Sequence, residues 1–427
     1  MKALRTILLM VLVILMASSL SVLSFGQDNV WFDKEKLANL IDSPRTKQIL
    51  ATKIDSYPNI NFDMETMVFD PFRKNVVVST VDFEHVPSGK QGTVSFAHRW
   101  VDGDYVLLYA SYWWWGTVVS GNITSDTTWN AAGSPYYVTA HSYVKPGVTL
   151  TIEPGTVIRF RKSDERKYRI YLEVEGILNC QGATFTTNCD FENYDNSQIE
   201  GENSDWWGIW VFDNGTCTIK DSVVEYADES IYSEGGCTFS GNTIKRGTYG
   251  MILFEYSGPF VVEDNILKDC EWGIICEDCT SSSEITGNII TLGAKWWGWE
   301  GLVCNYSSPI ISSNSISGYT TGIICNNSSP EVTLNTIQNN LEGIFTRDGS
   351  SPVIHNNNIA GNFFGLYNGD DMVIIDAENN WWGHSSGPYH PTLNPGGLGD
   401  EVSDYVDLDP WLTSAVAVTL ASLMIQP

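Results

Sequence analysis

Lys268 lies between Asp264 and Asp269, and a Lys beside two carboxylates could take a proton from a substrate next to a cation that the acids hold. Alternating charge of this kind is equally the mark of a solvated face. Cys276 and Cys279, spaced C-x-x-C, could form a redox pair or half of a zinc site. No second C-x-x-C and no His pair accompanies them. His384 and His390 lack a third ligand nearby. Asp400, Glu401, Asp404, Asp407 and Asp409 could hold a structural Ca2+, or simply keep one end of the fold soluble and discourage end-to-end association.

A second kind of chemistry needs no charge. Lys295-Trp296-Trp297-Gly298-Trp299 sets three indoles in one short stretch, and Trp207, Tyr249, Trp272 and Phe364 each precede a regularly spaced glycine. Aromatic faces in a row suit the apolar faces of sugar rings. The competing use of the same rings is to pack against a neighbouring module or to cover coil edges. With 24 Lys+Arg against 51 Asp+Glu, a net charge of −27 and 12% aromatic residues, the chain would repel nucleic acid. It is too rich in aromatics to be a disordered acidic tail.

What would position these side chains is a repeat. An Asn, once an Asp, followed two places later by an apolar residue recurs at Asp221, Asn242, Asn265, Asn288, Asn314, Asn335, Asn357 and Asn379, at intervals of 21 to 26 residues. Gly208, Ser230, Gly250, Gly273, Gly301, Gly322, Gly343 and Gly365 keep step with it, and a Ser-Ser-Pro turn begins at Ser307, Ser328 and Ser350. Short β-branched runs bounded by Gly, Pro, Ser or Asn read as strand and turn. Three such strands per period predict an all-β fold, a right-handed parallel β-helix of about 22 residues per coil and ten or eleven coils, stacked at ~4.8 Å.

The columns then predict directions. Stacked Asn at a bend can bond to one another, and stacked Gly or Ser suits a corner that needs a left-handed backbone. The residue after each Gly should point inward, and by alternation so should the residue at Gly plus three, which includes Cys276, Cys304 and Cys325. Those thiols are read as free fillers of a narrow core. The 26 residues of the Asn288–Asn314 interval place the Trp-bearing piece on an outward loop.

Outside the repeat, residues 1–26 read as an export signal, with Lys2 and Arg5 before an apolar run from Ile7 to Met16. Residues 27–135 form a small N-terminal module, with short helices within Lys34–Ile54 and a hairpin over Thr93–Trp115 turning at Asp102-Gly103-Asp104. The solenoid is expected over 136–383, a cap over 384–412 and an apolar tail over 413–427. The run Ala415–Ile425 is too short to span a bilayer.

The segment Tyr136–Phe160, the repeats from Trp207 to Trp382, and the closing elements Asn379-Asn380-Trp381-Trp382-Gly383, Ser386-Gly387-Pro388 and Asp409-Pro410-Trp411-Leu412 resemble the bacterial right-handed β-helix repeat proteins of the pectin-lyase-like fold. That resemblance implies a secreted, cell-surface or periplasmic protein of a group with mixed functions. Gly369-Asp370-Asp371 is similar to one element of the polygalacturonase pattern, whose Asn-Thr-Asp and Gly-His-Gly elements are absent. A copper-handling periplasmic β-helix is a further relative of this group; soft-metal binding would want exposed Met, His or Cys clusters, and the chain has six His.

The expectation is therefore a monomeric, non-catalytic protein that binds a polysaccharide, a cell-surface glycan or another surface through Trp296, Trp297, Trp299, Trp272, Trp207, Tyr249 and Phe364. It needs no nucleic acid and no membrane span in the mature chain. The only cofactor in question is a structural Ca2+ at Asp400, Asp404 and Asp407. The alternative is a polysaccharide lyase or glycoside hydrolase working through Lys268, Asp264 and Asp269.

Overall fold

The computed structural model describes residues 34–43, 46, 60–73, 76–85, 90–101, 104–114, 116–160, 169–187, 205–293 and 298–418. The expected export signal, most of the loop expected after Thr187, Trp296, Trp297 and the last residues of the tail lie outside them. Two compact units divide the chain: Met1–Trp115 with Cys189–Ile199, and Gly116–Asn188 with Glu200–Pro427.

The first unit holds helix α1 (Lys34–Ile41) and an antiparallel meander of β1 (Ile60–Arg73), β2 (Val76–His85), β3 (Lys90–Val101) and β4 (Asp104–Trp114). Leu37 and Ile41, four residues apart on one helical face, are buried. Ile41 joins Val81, Phe83, Val94 and Phe96 in a small core. The β3–β4 hairpin closes between Val101 and Asp104, at the expected turn.

The second unit is a right-handed parallel β-helix of about 10 turns and ~23 residues per turn. From Glu229 to Ala360 each coil carries one longer strand and two short ones, as in Trp272–Glu277, Glu284–Thr286 and Ile289–Thr291. Equivalent strands pair in parallel, so that Ile274, Leu302, Ile323, Ile344 and Leu366 lie in file, all fully buried. Cys276, Cys304 and Cys325 form the neighbouring inward file, free and buried.

Parallel pairing starts at Thr117–Ile123, against Tyr136–Val144, earlier than the expected start at 136; that first rung carries neither the Asn nor the Gly marker. At the far end Gly399–Val402 pairs with the strand of Phe364, and Val406–Asp407 with Ile375–Asp376, so the closing segment adds one more coil beyond the buried Trp382.

The Asn column is a buried ladder. From Asn242 to Asn357 each Nδ2–H donates to the Oδ1 of the Asn one coil on, at 2.9–3.0 Å. Its ends correct the sequence reading by one place: the ladder starts at Ser222 and finishes at Asn380. Asp221 and Asn379 instead belong to the preceding column, where the backbone is left-handed at φ 50° and 57°. This is the corner that needs Gly, Asn or Asp, and Gly241 and Gly287 share it.

The Gly column is kept for another reason. From Gly250 to Gly343 none has a left-handed φ; a Cβ on Gly273 would lie 2.2 Å from the carbonyl oxygen of Gly301, and one on Gly343 2.5 Å from that of Gly365. Close approach of successive coils excludes a side chain there.

The Ser-Ser-Pro turn makes a third ladder, Cys279 to Ser307 to Ser328 to Ser350, each backbone N–H donating to the next Oγ at 2.9–3.0 Å. Cys279 thus occupies the corner position that Ser holds on later coils, whereas Cys276 belongs to the core file. The C-x-x-C spacing is the crossing of two columns.

Candidate functional site

Alternation along each long strand leaves three positions facing outward, and stacking turns them into three parallel tracks. The first is the edge column before glycine. Glu229, Tyr249 and Trp272 are in register, as are Glu300, Thr321, Glu342 and Phe364. The aromatics named from the sequence are therefore on one edge, but carboxylates interrupt them.

Their rings also face each other. Tyr249 and Trp272 stack at 4.8 Å and 15°, and Trp272 and Trp299 at 6.0 Å and 15°. Most ring faces are spent on coil-to-coil contact, leaving edges outward. Trp299, 56% exposed, ends this stack: the next coil offers Thr320 and Thr321, whose backbone amides bond to Gly298 and Trp299.

The second track lies at Gly plus two. Trp210, Tyr232, Ile252, Ile275, Val303, Ile324, Phe345 and Tyr367 form one continuous apolar file over eight coils. A reading that assigns only the inward positions passes over it, although the assignment of Gly plus one and Gly plus three to the core already puts this residue outside. It is a narrow floor: Val303 and Ile324 are 7% and 6% exposed, Tyr367 37%. Its aromatic ends are themselves packed: Trp210 lies on Tyr232 at 47° and stacks on Tyr171 at 4.8 Å and 6°, and Phe345 lies on Tyr367 at 52° with the Arg347 guanidinium 5.8 Å from its centre.

The third track is polar. Arg347 Nε donates to Asn326 Oδ1, Asn326 Nδ2 to Asn305 Oδ1, and Asn305 Nδ2 to Glu277 Oε1, each at 2.6 Å. On the first track Thr321 donates to Glu342 at 3.0 Å. Burial pushes the Glu277 carboxyl up against the amide of Asn305, and pushes Glu300 up against a hydrogen bond from Trp272. The outer face is thus an apolar floor between two hydrogen-bonding rails, with aromatic rings toward both ends.

The catalytic candidates are elsewhere and apart. Asp264 and Asp269 sit at the two left-handed corners that bracket the strand Ile266–Lys268; with that three-residue strand between them they stand on the order of 10–15 Å apart, too far to act as a pair on one bond. Asp269 accepts from the Gly293 amide at 2.8 Å.

At the closing coil, Asp400 accepts from the Gly361 and Asn362 amides and from Asn362 Nδ2 at 2.8–2.9 Å. Asp404 stands 3.2 Å from His390 Nε2, and Asp407 pairs in register with Asp376. Among the described residues no three His, Cys, Asp or Glu side chains form a group able to hold a metal ion.

The profile of the family described as periplasmic copper-binding protein (NosD) matches residues 119–298 and 294–382. No curated protein and no solved structure matches the chain. Copper would need accessible thiolates, thioethers or imidazoles. The eight described cysteines are buried, and burial pushes the thiols of Cys180 and Cys270 up to about 11 and about 12, so these two thiols do not fit a copper centre. No described helix is long and apolar enough to cross a membrane. With more than half of its length matched, and the match following the stacked coils, the protein belongs to the NosD family of periplasmic repeat proteins.

Proposed function

We propose that this chain is a non-catalytic periplasmic or surface-facing protein that binds a linear polysaccharide along the outer face of its long strands. The observation that carries this reading is the amphipathic track: an apolar file from Trp210 to Tyr367 bordered by Glu300, Thr321 and Glu342 on one side and by Glu277, Asn305, Asn326 and Arg347 on the other. Sugar polymers present the same alternation, apolar ring faces and hydroxyl edges, and a rung spacing of ~4.8 Å offers each successive ring an equivalent set of partners.

Trp299 supports the reading in a different way, as a half-exposed indole at the end of a stack. The family description names copper, but the described thiols are buried and the proposed role is not routed through a metal. The separation of Asp264 from Asp269 favours binding over turnover.

The test is retention on immobilised polysaccharides. Trp299→Ala and the double variant Phe345→Ala/Tyr367→Ala should each elute several-fold earlier than the parent. Unchanged retention of both would remove the track as the binding face. Release of reducing ends or unsaturated products from pectate or alginate, with or without Ca2+, would overturn the non-catalytic part.

A further inference from the structure

The rails of the track are unequal in charge. Among its described residues Glu229, Glu277, Glu300 and Glu342 face outward, and Arg347 is the single cation. Arg347 is already bonded to Asn326 and close to Asp348 at 3.5 Å. The chain as a whole carries −27. A polyuronate laid here would bring carboxylates against carboxylates, at a distance where like charges repel strongly. A neutral glycan would leave Glu277 half-buried without a counter-charge, and Glu300 with only the pull of Arg347.

The spacing adds a second constraint. Glu300 and Glu342 occupy the same column two rungs apart, with Thr321 between them, which is about 10 Å. A β-1,4-linked chain of equatorially joined pyranoses advances by nearly one rung per ring and turns over at each step, so substituents on one side recur every second ring. Amino groups on alternate rings would therefore meet Glu300 and Glu342 in succession. The ring before the one at Glu300 turns its amino group toward Glu277 on the other rail, and the ring between Glu300 and Glu342 turns its own toward Asn326.

Building on the polysaccharide reading above, we propose that the ligand class is a linear β-1,4-linked glycan with free amino groups, held by Glu300 and Glu342 on one rail and Glu277 on the other. Its cationic groups would balance an acidic track whose single described cation is Arg347, and its rings would lie over the apolar file between Ile275 and Tyr367.

The experiment compares four probes of similar length by calorimetry on the full chain: a glucosamine hexamer, its N-acetylated counterpart, a galacturonate hexamer and an oligolysine. The glucosamine hexamer should bind at least tenfold more tightly than the acetylated one, with affinity falling as salt rises. Glu300→Gln/Glu342→Gln should erase that tenfold preference without lowering the melting temperature. Equal affinity for the two hexamers, or a preference untouched by the double variant, overturns the amino-sugar assignment and leaves the glycan reading standing. Oligolysine bound as tightly as the glucosamine hexamer would replace a glycan by any polycation. Binding of none of the glycans overturns the polysaccharide reading itself.

Discussion

Asn288 donates its side-chain amide to Asn314 at 2.9 Å across a separation of 26 residues, the same bond that Asn242 makes to Asn265 across 23. The extra length of the Trp-bearing coil is thus absorbed outside the ladder, and the ladder sets the register for everything around it.

Removing one rung should be costly. Asn288 Oδ1 accepts both the backbone N–H and Nδ2–H of Asn265, and its own amide bonds the carbonyls of Val262 and Thr286. Asn288→Leu leaves these groups buried and unpaired, and should cost about 3 kcal/mol. Urea denaturation followed by circular dichroism reads this, and a loss below about 1 kcal/mol would mean that the ladder is ornamental to stability.

Two glycines should respond oppositely to alanine in size of effect. Gly273→Ala sets a methyl group 2.2 Å from the Gly301 carbonyl oxygen, so the coils must separate, at about 3 kcal/mol or more. Gly349 has open space around it and a φ of 76°, so Gly349→Ala should cost only about 1–2 kcal/mol of backbone strain. Equal losses would show that close approach is not what selects the column.

The Trp stack separates stability from binding. Trp272 lies between Tyr249 and Trp299, and Trp272→Ala should lower stability by about 2 kcal/mol. Trp299→Ala, at the open end, should change it by less than about 0.5 kcal/mol while weakening polysaccharide retention. A Trp299 variant that melts as early as the Trp272 variant contradicts this division.

Acidification should stabilise the fold at first. Burial raises the Asp400 carboxyl above its ordinary 3.8 despite the amides it accepts, and Glu277, Glu300 and Asp264 are raised by burial as well. A folded-state value above the unfolded one means that protonation favours the folded chain. That contribution is complete below the unfolded value and is lost as pH rises through the folded one. The melting temperature should therefore climb as pH falls from 7 towards the ordinary carboxylate range. Glu255, held low by bonds from Ser283, Thr280 and Ser282 against the opposing effect of its burial, pulls the other way. Asp400→Asn should flatten the profile; a curve parallel to the parent's would exclude Asp400 as a contributor.

The eight described thiols should be silent in the native state. With Cys276, Cys304 and Cys325 fully buried, alkylation by iodoacetamide should track the global unfolding curve in denaturant. Rapid modification of any of the three in the absence of denaturant would show that the core opens locally.

The solenoid was legible because its constraints recur: one side chain per coil must satisfy the same corner, so Asn, Gly and Ser return in step. What recurs can still be misread by one place, as at Asp221 and Asn379, because a left-handed corner and the amide beside it both favour Asn or Asp. The Gly column was found for the right residues and the wrong reason; sequence alone does not distinguish an unusual φ from a carbonyl oxygen close by. The early rung at Thr117 carried no marker to find. On the outer face, Trp207, Tyr249, Trp272 and Phe364 fell on one edge, but whether rings meet face to face depends on rotamers that spacing does not encode. The apolar file at Gly plus two was written in the same alternation that fixed the core.

The amide ladder has a sense of direction. Every member gives hydrogens to the coil that follows, so whichever turn comes last would be left with donors pointing at nothing. Two devices close it. Asn380 keeps the bonds to the carbonyls of Ile354 and Glu378 that earlier members make to their equivalents, and turns the remaining hydrogen to Ala377, while the parallel file through Asn340 and Asn362 terminates on Asp400, a group that only accepts. Without such terminators the final turn would be a template on which another copy could nucleate, and the single molecule would be the first unit of a fibre.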